Sequence, residues 1–389
     1  MPRTLTQLDE WPRHQTIDTF DTVATAHHGW SDGYWFCFGD PEGEVNLITA
    51  LRLYPNTNVM DGYACVSLDD GKQYNLRVSR RLRPRMDDLR CGPMSMEIIE
   101  PLRTIQVRCE ENPHGISFDL RWDGYARPFD ETAGSRRFVD GRLVNERSNY
   151  TQVADVSGHI TVNGRRFEVG PGWVGARDHS WGIGDTGQGD RPNVAAPAAG
   201  TASGATLTHF GHRQWCLLRF PDRALYWWFH HNNEGRMTVS QTNVDYAWDS
   251  GRAPWAYRKV ELVREEFDAG RRRLKSAEIA LTRADGGVER IGMEVVSKPL
   301  YMQGGGYWGG YADGLGRGAY RGEELVEGDV WDVSHPTRVL DVSGNPIRQR
   351  NGAWAETYAR IWNLDDPSET GLGLLESVIA GPYPGITED

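Results

Sequence analysis

The stretch from Gly172 to Gly182 (GWVGARDHSWG) holds more kinds of reactive side chain than any other segment of its length in this chain. It combines a carboxylate, an imidazole, a guanidinium, a hydroxyl and two indoles. Charged groups of this kind are costly to bury unless they are paired. The segment therefore either forms a polar network inside a core or lines a functional site, and the residue types alone leave both interpretations open.

An extended backbone would divide these side chains between two faces. Successive side chains of a strand point to opposite sides, so Arg177, His179 and Trp181 would share one face, and Asp178 and Ser180 the other. An imidazole beside an indole suits the wall of a pocket, while a carboxylate on the opposite face would anchor the strand. We therefore take His179 and Trp181 as the leading candidates for chemistry.

Aromatic segments elsewhere supply candidates for binding an apolar ligand. In the run YWWFH at 226–230, an extended chain would place Tyr226, Trp228 and His230 on one face, where they are either core or pocket lining. Tyr307 lies among glycines and aromatics at 301–322 and has the same ambiguity. The predicted ligand-binding residues are Arg177, Trp173, Tyr226, Trp228, His230 and Tyr307.

Neither a metal nor a cofactor is predicted. His209 and His212 lack further ligands at the spacing of a zinc site, and the adjacent His230 and His231 would face opposite ways on a strand. There is no GxSxG elbow of the serine hydrolases. There is also no GxGxxG that follows a strand and opens a helix, which argues against a dinucleotide.

The elements that must position these residues are strands. Two-residue alternation and short apolar runs dominate, and helical periodicity is scarce. Asn163-Gly164 is the clearest turn, and its hairpin leads directly into the 172–182 stretch. Glycines among the aromatics at 301–322 fit bulges or corners of bent strands. Strands are predicted at 31–39, 44–53, 60–68, 73–80, 103–109, 116–122, 150–162, 165–169, 213–220, 224–230, 257–264, 274–284, 288–297, 327–333, 353–362 and 372–380.

This pattern predicts an all-β fold of two similar halves, each a barrel or a sandwich. The region 183–206 is rich in Gly, Ala and Pro and lacks a stable period, which is typical of a linker or of a flap over a pocket. We therefore predict an N-terminal domain at 1–185, a linker or flap at 186–206 and a C-terminal domain at 207–389.

The composition restricts the class of partner. A net charge of −11 argues against nucleic acid or an anionic membrane as a general partner, and no run approaches the roughly 20 apolar residues of a membrane span. Residues 1–14 lack the apolar core of a signal peptide. The five cysteines form no CxxC or zinc pattern, which favours a reducing compartment. We predict a cytoplasmic protein without an integral membrane segment, and a homodimer is left open.

The order of several motifs resembles that of the hydroxyneurosporene synthase (carotenoid hydratase)/AttH-like superfamily. The matching segments are NYTQ at 149–152, VSG at 156–158, VNGR at 162–165 and, most specifically, GARDHSWG at 175–182. The segments YWGG at 307–310 and GDVWD at 328–332 fit less specifically. The resemblance covers most of the chain. One departure is Gly184, because many relatives carry Arg there, so the substrate is not carried over.

The resemblance implies two packed lipocalin-like β-barrel halves, a ligand cavity and no cofactor. The family's His-x-Trp falls on His179 and Trp181. We assign His179 to proton transfer or water orientation and Trp181 to the pocket wall, where an indole stabilises a developing cation by about 0.5–2 kcal/mol. Asp178 completes the predicted catalytic set and anchors the strand with Arg177.

The predicted function is that of a cofactor-independent lyase or isomerase, hydratase-like or cyclase-like. Its substrate would be a hydrophobic small molecule such as an isoprenoid or a polyketide-type compound. The alternative is a non-catalytic, lipocalin-like carrier of an apolar ligand, because the interior of a β-barrel holds such ligands well.

Overall fold

A computed structural model describes most of the chain as β-strand. The described residues are 23, 25–131, 136–139, 141–184, 211–268, 272–335, 337–349 and 354–386. The predicted linker or flap at 186–206 and the candidate His209 lie outside them. Within this part of the chain there is no α-helix, and no helix has the length and apolar character needed to cross a bilayer.

The strands of the N-terminal half are β1 Trp30–Gly39, β2 Val45–Tyr54, β3 Val59–Leu68, β4 Lys72–Arg81, β5 Arg90–Cys91, β6 Met94–Glu100, β7 Thr104–Cys109, β8 Ile116–Gly124, β9 Phe129–Asp130, β10 Arg136–Val139, β11 Arg142–Val162, β12 Arg165–Val169 and β13 Val174–Ile183. Those of the C-terminal half are β14 Gly211–Arg219, β15 Arg223–His231, β16 Met237–Tyr246, β17 Lys259–Phe267, β18 Leu274–Thr282, β19 Val288–Val295, β20 Leu300–Tyr301, β21 Glu324–Asp332, β22 Val339–Asp341, β23 Pro346–Ile347, β24 Ala355–Asn363 and β25 Thr370–Ala380. Short 3₁₀ segments occupy Pro55–Thr57, Met302–Gly305 and Tyr307–Gly309.

The strands form two large sheets, which confirms the predicted all-β class. The 16-stranded first sheet follows the order β23-β22-β21-β4-β3-β2-β1-β13-β11-β8-β7-β6-β5, and β9, β10 and β12 pair with β11. The nine-stranded second sheet follows the order β16-β15-β14-β25-β24-β19-β18-β17, and β20 pairs with β24. Three strands of the C-terminal half, β21 to β23, thus extend the first sheet beyond β4. The domain boundaries at 185 and 207 remain a prediction.

The core consists of three large apolar layers, which form because the central strands bury both faces, and of a small fourth cluster of Tyr301, Trp331, Val333 and Val339. On β1, Phe36 and Phe38 point to the inner face of the first sheet, where they pack against Trp122. Trp35 and Cys37 point the other way, toward the second sheet. This inter-sheet layer includes Trp35, Cys37, Tyr63, Trp215, Tyr226, Tyr358 and Leu374, with Trp228, Tyr307 and Trp354 partly buried beside them. A third layer fills the inner face of the second sheet around Trp227 and Phe229.

The hairpin that precedes β13 has the turn that the sequence predicts. Asn163 and Gly164 join β11 to β12 with φ angles of 47° and 82°. Two consecutive positive φ values are characteristic of the type I′ turn, whose twist matches that of the flanking strands. This turn fixes the register in which β11 pairs with β12.

The segment 301–322 differs from its prediction. Instead of strand corners it contains the two consecutive 3₁₀ segments after β20, separated by Gly306 at φ 86°. The glycines are needed for close packing: a Cβ at Gly305 would lie 2.8 Å from the ring of Tyr63. Consecutive glycines and left-handed residues favour tight turns over ladder pairing.

Candidate active site

Strand β13 presents the predicted catalytic stretch at the centre of the first sheet. It pairs with β1 on one side and β11 on the other, and His179 stands opposite Tyr34 and Tyr150. The predicted alternation is confirmed. The rings of His179 and Trp181 lie 5.4 Å apart on the inner face of the sheet, whereas the Ser180 hydroxyl on the other face accepts a 2.6 Å hydrogen bond from Arg52.

Both nitrogens of His179 have partners. Nε2 lies 2.8 Å from Asp32 Oδ1, and Nδ1 lies 3.2 Å from the Tyr150 hydroxyl. The Asp32 carboxylate accepts a hydrogen bond from Nε2–H, which assigns the tautomer and leaves Nδ1 to accept the hydroxyl hydrogen of Tyr150. The Asp32 side chain is 48% exposed and that of His179 is 18% exposed. The pair therefore meets solvent at its Asp32 end.

Arg177 continues this row of groups into the protein. Its Nε donates to Gln152 Oε1 at 2.7 Å and its Nη1 donates to the Tyr150 hydroxyl oxygen at 3.4 Å. The residue is 1% exposed, and its Nη2 has no hydrogen-bond partner among the described residues. No carboxylate within the described chain forms an ion pair with it, which is unusual for a buried guanidinium.

Aromatic rings enclose the imidazole. The ring of Tyr34 stacks on that of His179 at 4.1 Å, and the rings of Tyr150 and Trp181 approach it edge-on. Burial, with a smaller contribution from the charge of Asp32, raises the pKa of Tyr34 to about 12, so its hydroxyl stays protonated at neutral pH. The site places an apolar wall beside a row of hydrogen-bonded polar groups.

The opposite face of β13 carries a second polar group. Asp178 lies between Trp35 on β1 and Thr151 on β11, and it faces the inter-sheet layer. Glu131 is close to it and accepts hydrogen bonds from Trp215 Nε1 at 2.8 Å and Asn149 Nδ2 at 2.7 Å. Burial, and then the negative charge of Asp178, raise the pKa of Glu131 to about 7.

The remaining predicted site residues divide between the layers. Tyr226, Trp228 and Tyr307 belong to the inter-sheet layer, and Trp173 packs against Phe38 on the inner face of the first sheet. His230 accepts a 2.9 Å hydrogen bond from Trp228 Nε1. Burial, and then the positive charge of Arg213, lower the pKa of His230 to about 3, so this imidazole is neutral. The hydrogen-bond and ring partners that the described residues give to His179 are Asp32, Tyr150, Tyr34 and Trp181.

Sequence reasoning missed the residues that surround the side chains on the two faces of β13. They come from strands far along the chain: Asp32 and Tyr34 on β1, Tyr150 on β11, and Glu131 beside it. Tyr150 lay within the NYTQ segment of the resemblance, which was its only signal. Glu131 stands in a connection without alternation, and nothing in its neighbourhood distinguished it from a surface glutamate.

A cavity of about 970 Å³ lies elsewhere, at the second sheet. None of the predicted site residues lines it. Among the described residues, no three His, Cys, Asp or Glu side chains are grouped in a way that could hold a metal ion.

Comparison with known proteins places the chain in a family. A family model described as "Family of unknown function (DUF8625)" matches residues 5–386, nearly the whole chain. The chain belongs to DUF8625. None of the curated proteins matches this DUF8625 chain significantly.

Solved structures resemble the DUF8625 chain at low identity. A protein assigned as AttH from Nitrosomonas europaea is 12% identical, with a TM-score of 0.50 over 95% of this chain and 98% of that one. CghA, solved with Sch210972, is 9% identical, with a TM-score of 0.49 over 91% and 89%. Kievitone hydratase from Nectria haematococca is 13% identical, with a TM-score of 0.41 over 91% and 90%. The first of these confirms the predicted AttH-like fold; at this identity the likeness extends to the fold alone.

Proposed function

We propose that this chain is a cofactor-independent lyase or isomerase, hydratase-like or cyclase-like, that acts on a hydrophobic small molecule such as an isoprenoid or a polyketide-type compound. The observation that carries the proposal is the hydrogen-bonded row Arg177–Tyr150–His179–Asp32, which ends in a partly exposed imidazole–carboxylate pair. Addition of water, loss of water and movement of a double bond all require a proton to pass between the substrate and a positioned group.

His179 is the proposed proton carrier. Its Nδ1 takes the hydroxyl proton of Tyr150 while Asp32, 2.8 Å from Nε2, stabilises the resulting imidazolium. The stacked ring of Tyr34 adds a cation–π contribution of about 0.5–2 kcal/mol. Tyr150, which has lost its hydroxyl proton, then takes a proton from a substrate carbon. The same transfers in reverse order return a proton to a substrate carbon.

Arg177 is the proposed anchor for a substrate oxygen. Its Nη2 is a buried, charged donor without a described partner, so an acceptor such as a carbonyl oxygen would satisfy it. A carbonyl held in this way has more acidic neighbouring C–H bonds, because the guanidinium stabilises the developing negative charge. Tyr150 takes the proton from the neighbouring carbon, the C–O bond breaks, and the proton held by His179 passes to the departing hydroxide, which leaves as water and completes an elimination. Hydration is the reverse.

Trp181 and Asp178 have supporting roles in this scheme. Trp181 supplies an apolar wall edge-on to His179. Asp178 points into the inter-sheet layer with Glu131, so it acts on the position of β13 and not on the substrate. In this proposal the catalytic row consists of His179, Tyr150 and Arg177, and Asp32 orients it.

The test uses the full-length protein and a metabolite extract from a strain of the source organism that lacks the gene. Protein and extract are incubated in H₂¹⁸O and the products are followed by untargeted mass spectrometry. A hydration product carries the heavy oxygen, and an isomerised product keeps its mass but changes its retention time. We expect His179→Asn to lower conversion by about 10²- to 10⁴-fold.

His159→Asn is the matched control, because His159 lies on β11 away from the row. It should convert the substrate at the normal rate. Equal conversion by His179→Asn and the unaltered protein would remove His179 from the mechanism.

A second candidate function is that of a non-catalytic carrier of an apolar ligand. The cavity of about 970 Å³ favours it, because that volume suits a drug-sized molecule. Native mass spectrometry of protein purified from its source separates the two functions. A carrier retains an unchanged ligand and converts nothing in the extract.

A further inference from the structure

The cavity of about 970 Å³ opens at the inner face of the second sheet. One wall is formed by strands of that sheet and the other by the segment Val333–Gln349. Ser377 on β25 lines it and retains partial exposure. The remaining lining is mixed: apolar side chains, among them Leu274, Val295, Val339, Ile347, Ile379 and Ala380, stand beside charged ones such as Glu266, Arg273 and Lys275. A cavity of this size and mixed lining suits a drug-sized molecule with both apolar and polar groups.

Ser377 is the first of a row of three polar side chains that come from three different strands. Ser377 Oγ is 2.9 Å from His212 Nε2, and His212 Nδ1 is 3.4 Å from Glu265 Oε2. His212 is fully buried and is held edge-on by Phe229 and Phe267. Hydroxyl, imidazole and carboxylate thus stand in the order of a serine-hydrolase triad, which is identified by geometry and not by sequence order.

The hydrogen-bond partners of this row are incomplete. Neither His212 Nδ1 nor Glu265 Oε2 has a hydrogen bond within the described chain. The gap between them is typical of catalytic groups that tighten only when substrate is bound. With its proton on Nδ1, facing the carboxylate, the imidazole has Nε2 free to accept the hydrogen of Ser377.

Gln214 provides a donor beside the serine. It stands directly opposite Ser377 in the β14–β25 ladder. Its Oε1 accepts from Trp227 Nε1 at 3.3 Å, which fixes the amide, while its fully buried Nε2 has no partner among the described residues. A preorganised N–H group next to a nucleophile can stabilise the negative charge that develops on a carbonyl oxygen.

The protonation state of His212 depends on its carboxylate neighbour. Burial lowers the pKa of His212 to about 3, so the imidazole is neutral and is a weak base until an ionised carboxylate stabilises its protonated form. Burial also raises the pKa of Glu265 to about 7. Once it is ionised, Glu265 opposes the effect of burial on His212, because a carboxylate 3.4 Å away stabilises the imidazolium.

We infer that Ser377, His212 and Glu265 form a second active site, which hydrolyses carboxylic esters. Ser377 Oγ bonds to the acyl carbon, the bond from that carbon to the alcohol oxygen breaks, and the serine proton passes through His212 Nε2 to the departing alcohol. Water then attacks the acyl-serine, its proton passes through the same nitrogen, and the carboxylic acid and free serine are released. The net reaction converts ester and water into acid and alcohol.

The test measures covalent labelling and ester hydrolysis by the full chain. A fluorophosphonate probe should attach to Ser377, as located by peptide mass spectrometry, and p-nitrophenyl hexanoate should be hydrolysed. Ser377→Ala should abolish the label and lower hydrolysis by about 100-fold or more. Glu265→Gln should slow both reactions without abolishing them. Circular dichroism and thermal unfolding check that each variant folds.

Two controls separate this site from other nucleophiles and from the proposed function. Ser276→Ala, on β18, removes a hydroxyl that bonds to Glu266 and has no imidazole partner, and it should change neither readout. His179→Asn should also leave ester hydrolysis intact. The inference is overturned if the probe does not label Ser377, or if Ser377→Ala hydrolyses the ester as fast as the unaltered protein. A ligand recovered unchanged from the cavity, with no labelling, would favour a carrier.

Discussion

Replacing Glu131 with Gln is expected to change how the stability of the protein depends on pH. Burial and the nearby charge of Asp178 raise the pKa of Glu131 from 4.5 to about 7. The folded protein therefore keeps this proton over a range in which the unfolded chain has released it. The free energy by which this retained proton stabilises the folded protein is fully present below about pH 4.5 and is lost as the pH rises to about 7.

The size of the effect follows from these two values. At about 1.4 kcal/mol for each pH unit between them, ionisation of Glu131 costs at most about 3 kcal/mol of folding free energy by pH 8. Glutamine cannot ionise, so the variant should lack this part of the loss. Its absolute stability will also change, because an amide replaces the acceptor of the Asn149 hydrogen bond. The informative quantity is the difference in stability between two pH values.

The assay is urea unfolding at pH 5 and pH 8, followed by tryptophan fluorescence. The unaltered protein should lose more stability between the two pH values than Glu131→Gln, by up to about 3 kcal/mol. Other buried acids such as Glu356, whose pKa burial raises to about 8, contribute equally to both proteins. Glu168→Gln, at an exposed position on β12, should behave as the unaltered protein does. An identical pH dependence in Glu131→Gln and the unaltered protein would refute the reasoning.

Two further substitutions test the hydrogen-bonded row Arg177–Tyr150–His179–Asp32 and the contact between Gly39 of the first sheet and Tyr358 of the second. Asp32→Asn should lower conversion of the metabolite by about 10²-fold or more, yet change the free energy of unfolding by less than about 1 kcal/mol, because the carboxylate is 48% exposed. A large loss of stability with normal conversion would contradict its orienting role. Gly39→Ala should cost about 1–3 kcal/mol in urea unfolding, because the added Cβ would lie 2.3 Å from the ring of Tyr358. Unchanged stability there would show that the two sheets separate easily.

Much of the local structure could be predicted from the sequence. The predicted strand at 44–53 is β2, Val45–Tyr54, and that at 372–380 is β25, Thr370–Ala380. Alternation and turn residues are local signals, and they act within a few positions. The division of β13 into two faces followed from the same rule. Segment 301–322 was misjudged because glycines permit both bulges and tight turns, and only the tertiary contacts decide between them.

The partners of the site were beyond local reasoning. Asp32 meets His179 across a separation of 147 residues, and no periodic pattern specifies which strands become neighbours. The raised pKa of Glu131 depends on burial and on the charge of Asp178, which act together only when the sheet forms. Sequence pattern could therefore locate the central strand but not the groups that its side chains contact.

The pairing of β21 with β4 has a consequence for attempts to divide the protein. Strand β21, Glu324–Asp332, covers β4, Lys72–Arg81, along its whole length. A fragment that stops near residue 185 would leave the backbone amides and carbonyls on this side of β4 unpaired. Unpaired groups at a sheet edge form hydrogen bonds with strands of other chains. Such a fragment should aggregate when expressed alone and dissolve when residues 324–347 are supplied as a separate peptide. We therefore expect that the N-terminal half needs the strands of the C-terminal half and cannot be exchanged as an independent module.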